Sequence, residues 1–168
     1  MGLDMYLYAR KYVSGVDYAR NDGDLVSKPN PTFTSVINAV GLTAEELDDS
    51  FPSVSLTVKI GYWRKDNQIH NWFVNNVQGG EDDCGEYHVS REQLLELRDV
   101  CRKVIDDTSL AEELLPPQGG FFFGSTELDE WYYDGIKATI AILDRILGNP
   151  KFEDTGMFSW DFYYQSSW

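Results

Sequence analysis

Between Thr57 and Gln78 the run TVKIGYWRKDNQIHNWFVNNVQ changes its hydrophobic period from two to 3.6, and that switch constrains the fold more than any other stretch. Val58 and Ile60 alternate with Thr57 and Lys59 as in a half-buried strand, whereas Ile69, Trp72, Phe73 and Val77 recur at helical spacing. The pattern predicts a strand over 54–62, a turn through Gly61 and a helix over about 64–78, closed by Gly79 and Gly80. Arg64, Lys65, Asn67, Gln68 and His70 would then surround the first turns of that helix, whose unpaired N–H groups favour anions.

The remaining text alternates strand and helix signals. Leu3, Met5 and Leu7 alternate with Asp4, Tyr6 and Tyr8, which predicts an N-terminal strand. Residues 14–31, with NDGD at 21–24 and PNP at 29–31, read as a surface loop or hairpin tip. Phe33, Val36, Ile37 and Val40 predict a helix stopped by Gly41, and Thr43 with Glu46 fits a capping box for one further turn. After a polar loop, EDDCGEY, a short strand covers 87–89. Ser90 with Gln93 is a second capping box, opening a helix that carries Leu94, Leu97, Cys101, Val104 and Ile105 on one stripe. Ser109 and Glu112 repeat the signature for a short turn that Pro116 and Pro117 stop. GGFFFGSTELDE reads as a second strand-to-helix junction, with Phe121 to Phe123 extended and Ser125 or Thr126 capping a long helix through Leu147. The alternation over 160–165 predicts a last strand. Few strands joined by irregular connections favour an α+β fold, a single domain over 1–168 in which a mostly antiparallel sheet packs with three to four helices.

Asp and Glu number 28 against 14 Lys and Arg, a formal charge of −14. A field of that sign disfavours direct nucleic-acid binding and adhesion to acidic membranes, and it favours basic protein partners or simple solubility. No apolar run approaches the length of a membrane span, and MGLDMYLYARKY has no leader-like apolar region, so a cytoplasmic setting is expected. Cys84 and Cys101 alone do not define a disulfide framework, and Cys101 is expected as a buried thiol.

The segments MGLDMYL, GYWRK, IH.WFV.NVQ.G..DCGEY, ELLP.QGGFFFGST and FYYQSSW together resemble a family of uncharacterised proteins encoded by bacteriophages and bacteria. That resemblance implies a viral or prophage origin and an accessory role in the host cytosol. It carries no catalytic residue with it.

Among candidate chemistries, the Gly61–His70 junction is the richest. Arg64 and Lys65 can neutralise a phosphate, Tyr62 or Trp63 can stack on a base, and His70 can donate a hydrogen bond. Ser125 and Thr126 form a second, weaker anion-binding candidate. Neither GxxxxGK[ST] nor GxGxxG occurs. The acidic loop Glu81, Asp82, Asp83 and Glu86, with Cys84 and His88 nearby, lacks calcium-loop or zinc spacing and reads as a solvated loop, so no metal and no cofactor is expected. GxSxG and HExxH are missing, and Cys84 lies among carboxylates that disfavour a nucleophilic thiolate. The chain therefore reads as a binding protein with a small anionic, nucleotide-like ligand. The alternatives are an acidic inhibitor that occupies a nucleic-acid-binding groove on a host protein and, lower, a nucleotide-processing enzyme.

Overall fold

The structure, a computed structural model, describes residues 2–21, 24–47, 51–153 and 159–168. Among the described residues six strands and five α-helices follow in the order β1 (Asp4–Ser14), β2 (Val16–Asn21), β3 (Asp24–Pro29), α1 (Pro31–Ala39), β4 (Ser53–Arg64), α2 (Asn67–Asn76), β5 (Glu86–Val89), α3 (Arg91–Asp106), α4 (Ala111–Leu114), α5 (Glu130–Leu147) and β6 (Asp161–Ser167). The architecture is α+β. All its strand pairs are antiparallel, in a four-stranded sheet of order β4-β1-β6-β5 and a separate β2-β3 hairpin.

Alternation along β1 sets the layers. Leu3, Met5, Leu7 and Ala9 are fully buried on one face of the sheet, against α2, α3 and α5. Tyr6, Tyr8 and Arg10 are half-buried and point to the other face. Tyr164 of β6 stacks on Phe73 of α2 with centroids 3.9 Å apart, and Trp72 and Trp63 pack around the same ring. A register shift opposite Leu7 and Tyr8 leaves Ile60 as the extra residue of a β-bulge in β4. A second, smaller core joins Val13, Phe33 and Ile37, with Val54 and Leu56 packed on it.

The predicted elements shift at their ends for local reasons. Residues 14–31 form the β2-β3 hairpin and the start of α1; the turn at 22–23 lies outside the described residues. Helix α2 begins at Asn67 rather than 64, because β4 runs on through Arg64 and Lys65 turns the chain at φ 61°. Phe121 to Phe123 form a turn and not a strand. Phe122 reaches the edge of β1, its carbonyl accepting from Leu3 N–H at 2.9 Å, and Phe123 is buried in the main core, while Phe121 is 96% exposed. Ser125 and Thr126 do not cap α5. Asp129 does, accepting from Tyr132 N–H at 3.1 Å, and Ser125 closes a tight turn by accepting from Glu127 N–H. Asp107 takes the role expected of Ser109 by accepting from Ser109 N–H and Oγ. The Ser90–Gln93 capping box is present in full.

Candidate functional site

Strand β4 ends in Arg64, Lys65 reverses direction, and Asp66 opens α2, so three charged residues sit on one corner. That corner faces the loop 124–129 and the first turns of α5. Between them lies a cleft of about 530 Å³ lined by Arg64, Lys65, Asp66, Gln68, Gly124, Ser125, Glu127, Trp131 and Tyr132, with Asp129, Asp134, Gly135 and Ala138 completing the wall. Asn67 clamps the two segments together, donating from Nδ2 to Ser125 O at 2.8 Å and Phe123 O at 3.0 Å. Its Oδ1 accepts from Gln118 N–H, so a buried asparagine holds the far wall by three bonds.

The cations are positioned and largely unpaired. The Lys65 stem passes between two glycines: a methyl group placed on Gly124 would lie 3.4 Å from Lys65 Cβ, and one on Gly2 would lie 3.2 Å from Lys65 Cε. A side chain on Gly2 would crowd the lysine, whereas one on Gly124 would only touch it. Lys65 itself adopts the left-handed backbone region that non-glycine residues enter at a cost, of the kind that clusters at ligand clamps. Among the described residues no carboxylate pairs with it. Arg64 has Asp4 at 3.8 Å, too far for a hydrogen bond, and its side chain is mostly exposed.

The carboxylates are less free than their number suggests. Asp129 caps α5 and Asp134 pairs with Lys137 at 2.9 Å. Asp66 does not pair with either neighbouring cation. Its carboxyl turns under α5 against Gly135, where a methyl group would collide with Oδ1. Burial there pushes its pKa up to about 6, only partly offset by hydrogen bonds from the Arg64 backbone and the Gln68 side chain. Glu127 is left as the exposed acceptor. Beside it Trp131, on the first turn of α5, is a large aromatic that is 83% exposed.

Only part of the residue set read from the sequence meets here. Arg64, Lys65 and Ser125 line the cleft. Trp63 is 2% exposed and its Nε1 donates to Thr139 Oγ1 at 2.9 Å, so the ring belongs to the core. Tyr62 alternates onto the outer face of the sheet, where its phenol donates to Asp4 at 2.5 Å. His70 is fully buried, with Nδ1 2.7 Å from the Tyr164 phenol and Nε2 3.0 Å from Asp82. Thr126 is exposed outside the cleft. The sequence reading missed Trp131 and Glu127, which look like an ordinary helix start.

The acidic loop is tied to the scaffold rather than open. Asp82 bridges His70 and Trp168 Nε1, Asp83 accepts from Gly85 N–H, and Glu86 holds Arg10. Among the described residues no group of three or more His, Cys, Asp or Glu is disposed to hold a metal ion, and no helix is long and apolar enough to cross a membrane. No family model, curated protein or solved structure matches the chain.

Proposed function

We propose that the protein binds a small anionic, nucleotide-like ligand in the cleft between the β4-α2 corner and the start of α5. One observation carries this reading: Lys65 and Arg64, without a close carboxylate partner, converge with an exposed Trp131 on a concavity of ligand size. A phosphate would sit at Lys65 and Arg64, beside the N-terminal end of α2. A base would stack on Trp131, and its amino edge would donate to Glu127. Asp66 limits how negative the ligand's contact with the floor can be, and protonation removes that limit.

The mixed charge of the cleft favours a ligand that has both an anionic end and hydrogen-bond donors over a bare anion. In the phage or prophage setting that the resemblance implies, such binding would sequester a host nucleotide. Calorimetric titration with nucleoside mono- and triphosphates and with inorganic phosphate tests the reading. Arg64→Ala/Lys65→Ala should abolish binding with an unchanged melting curve, and Trp131→Ala should weaken nucleotides while leaving phosphate alone. Unaltered binding by the double variant would sink it.

A second reading rests on the formal charge of −14. An acidic surface would occupy the basic groove of a host protein, and association would then weaken steeply with salt. A partner retained equally at low and high salt counts against it.

A further inference from the structure

Strand β1 keeps a strict inner face of Leu3, Met5, Leu7, Ala9 and Val13, all buried, with one exception. Lys11 falls at an inner position between Ala9 and Val13, opposite Leu56 of β4. It projects into the gap between the main core and the smaller one, where a partly open cavity of about 650 Å³ separates the sheet from the base of the β2-β3 hairpin. The walls are mixed: Val13, Val16, Leu56, Tyr12, Tyr18 and Trp160 supply the apolar part, and Ser14, Asp17, Asn30 and Thr32 the polar part. The Lys11 ammonium lies 6.0 Å from the Trp160 ring centroid, and among the described residues no carboxylate pairs with it. The cavity does contain one carboxylate, Asp17, but Asn30 Nδ2 donates to its Oδ1 at 3.1 Å.

We infer that this cavity is a second binding site, and that it takes a small free carboxylic acid with an apolar body. The single cation among the lining residues supplies the complementarity: the carboxylate meets Lys11, and the chain or ring lies along Val13, Val16, Leu56 and Trp160. Lys11 is half-buried, the one charged position on a strand face that is otherwise apolar, and it forms no ion pair among the described residues. Asp17 stands on the hairpin side and disfavours a second negative group, so the site selects monoacids. None of its lining residues belongs to the nucleotide cleft.

Calorimetric titration of the full chain with hexanoate, octanoate and decanoate, each matched with its alcohol, tests the assignment. Affinity for the acids should rise about fourfold per added methylene until the cavity is filled. The alcohols should bind at least about tenfold more weakly than the acids, as expected when a charge-assisted hydrogen bond is lost. Lys11→Met, which suits the apolar face and should fold, should erase the difference between acid and alcohol while leaving nucleotide binding unchanged. Asp17→Asn should tighten the acids, and Val16→Trp, which fills the cavity, should weaken acids and alcohols together. Equal binding of acids and alcohols to the unaltered protein would overturn the inference, as would acid binding unaffected by Lys11→Met or by Val16→Trp, or no binding of any acid at millimolar concentration.

Discussion

Asp66 shows how one residue couples the cleft to stability. Its carboxyl lies under α5, and burial raises its pKa to about 6, whereas an unfolded aspartate titrates near ~4. Between those values the native state holds a proton that the unfolded chain has released. The contribution of this group is therefore fully present below about pH 4 and is lost as pH rises through about 6, a change of roughly 2–3 kcal/mol. Asp66→Asn should remove that dependence. Urea titrations of the two proteins from pH 4 to 8 should show their stability difference growing in favour of the variant and levelling above about pH 6. A constant difference would mean that the carboxyl is not buried in this way. The same linkage acts on the ligand: an anion at Lys65 raises the Asp66 proton affinity, so nucleotide binding should strengthen from pH 7.5 to 5.5 in the native protein and not in Asp66→Asn.

Gly135 is the other half of that contact. A methyl group at this position in α5 would strike Asp66 Oδ1, so Gly135→Ala should cost about 1–3 kcal/mol despite the better helix propensity of alanine. In an Asp66→Ala background the collision is gone and only Gln68 Nε2, 3.1 Å from the added methyl, still crowds it, so the same change should be close to neutral. A double-mutant cycle by chemical denaturation measures the coupling, and additive effects would show that the two residues do not touch.

At the scale of elements, what the sequence made legible was local. The switch from β4 to α2, the Ser90–Gln93 box opening α3 and the apolar stripe of Leu94, Leu97, Cys101 and Val104 are written in residues three or four apart. The Phe121–Phe123 turn misled because three phenylalanines carry strand propensity, whereas the flanking glycines and the left-handed Gly124 (φ 91°) decide the backbone. The cleft was half legible. Arg64 and Lys65 are a recognisable basic pair, but their facing wall of Glu127 and Trp131 lies some sixty residues away in sequence and is brought there by the Asn67 clamp. His70 drew attention as a possible ligand donor, yet its role is to join elements. The Tyr164 phenol, pushed well above its ordinary pKa by burial, keeps its proton and can donate to Nδ1, leaving Nε2–H for Asp82. Asp82 in turn accepts from Trp168, so α2, the acidic loop and β6 share one network. Asp82→Ala should cost about 2–4 kcal/mol by stranding a buried imidazole. Hydrogen exchange should then rise at the end of β6, and unchanged protection there would refute the link.

The whole molecule is less uniform than a single sheet with helices suggests. The main core gathers β1, β6, α2, α3 and α5, while Val13, Phe33 and Ile37 form a separate cluster under α1. The β2-β3 hairpin extends from that smaller unit with Tyr18 and Leu25 more than half exposed, and a two-stranded ribbon has little stability of its own. Stability should therefore be graded along β1, with its Leu3–Ala9 end anchored in the main core and its Val13 end held by α1. Phe33→Ala tests this division. It removes a buried ring from the smaller cluster, a change that typically costs about 3–5 kcal/mol, and in a uniform molecule that cost would lower protection everywhere. Here amide exchange should accelerate in α1, the hairpin and residues 53–56 of β4, while α3, α5 and β6 keep their protection. Nucleotide binding at Arg64 and Lys65 should survive, whereas acid binding beside Lys11, where Val13 and Leu56 of the smaller unit form part of the wall, should be lost. Uniform acceleration across both cores would instead mean that the cavity between them does not separate two cooperative units.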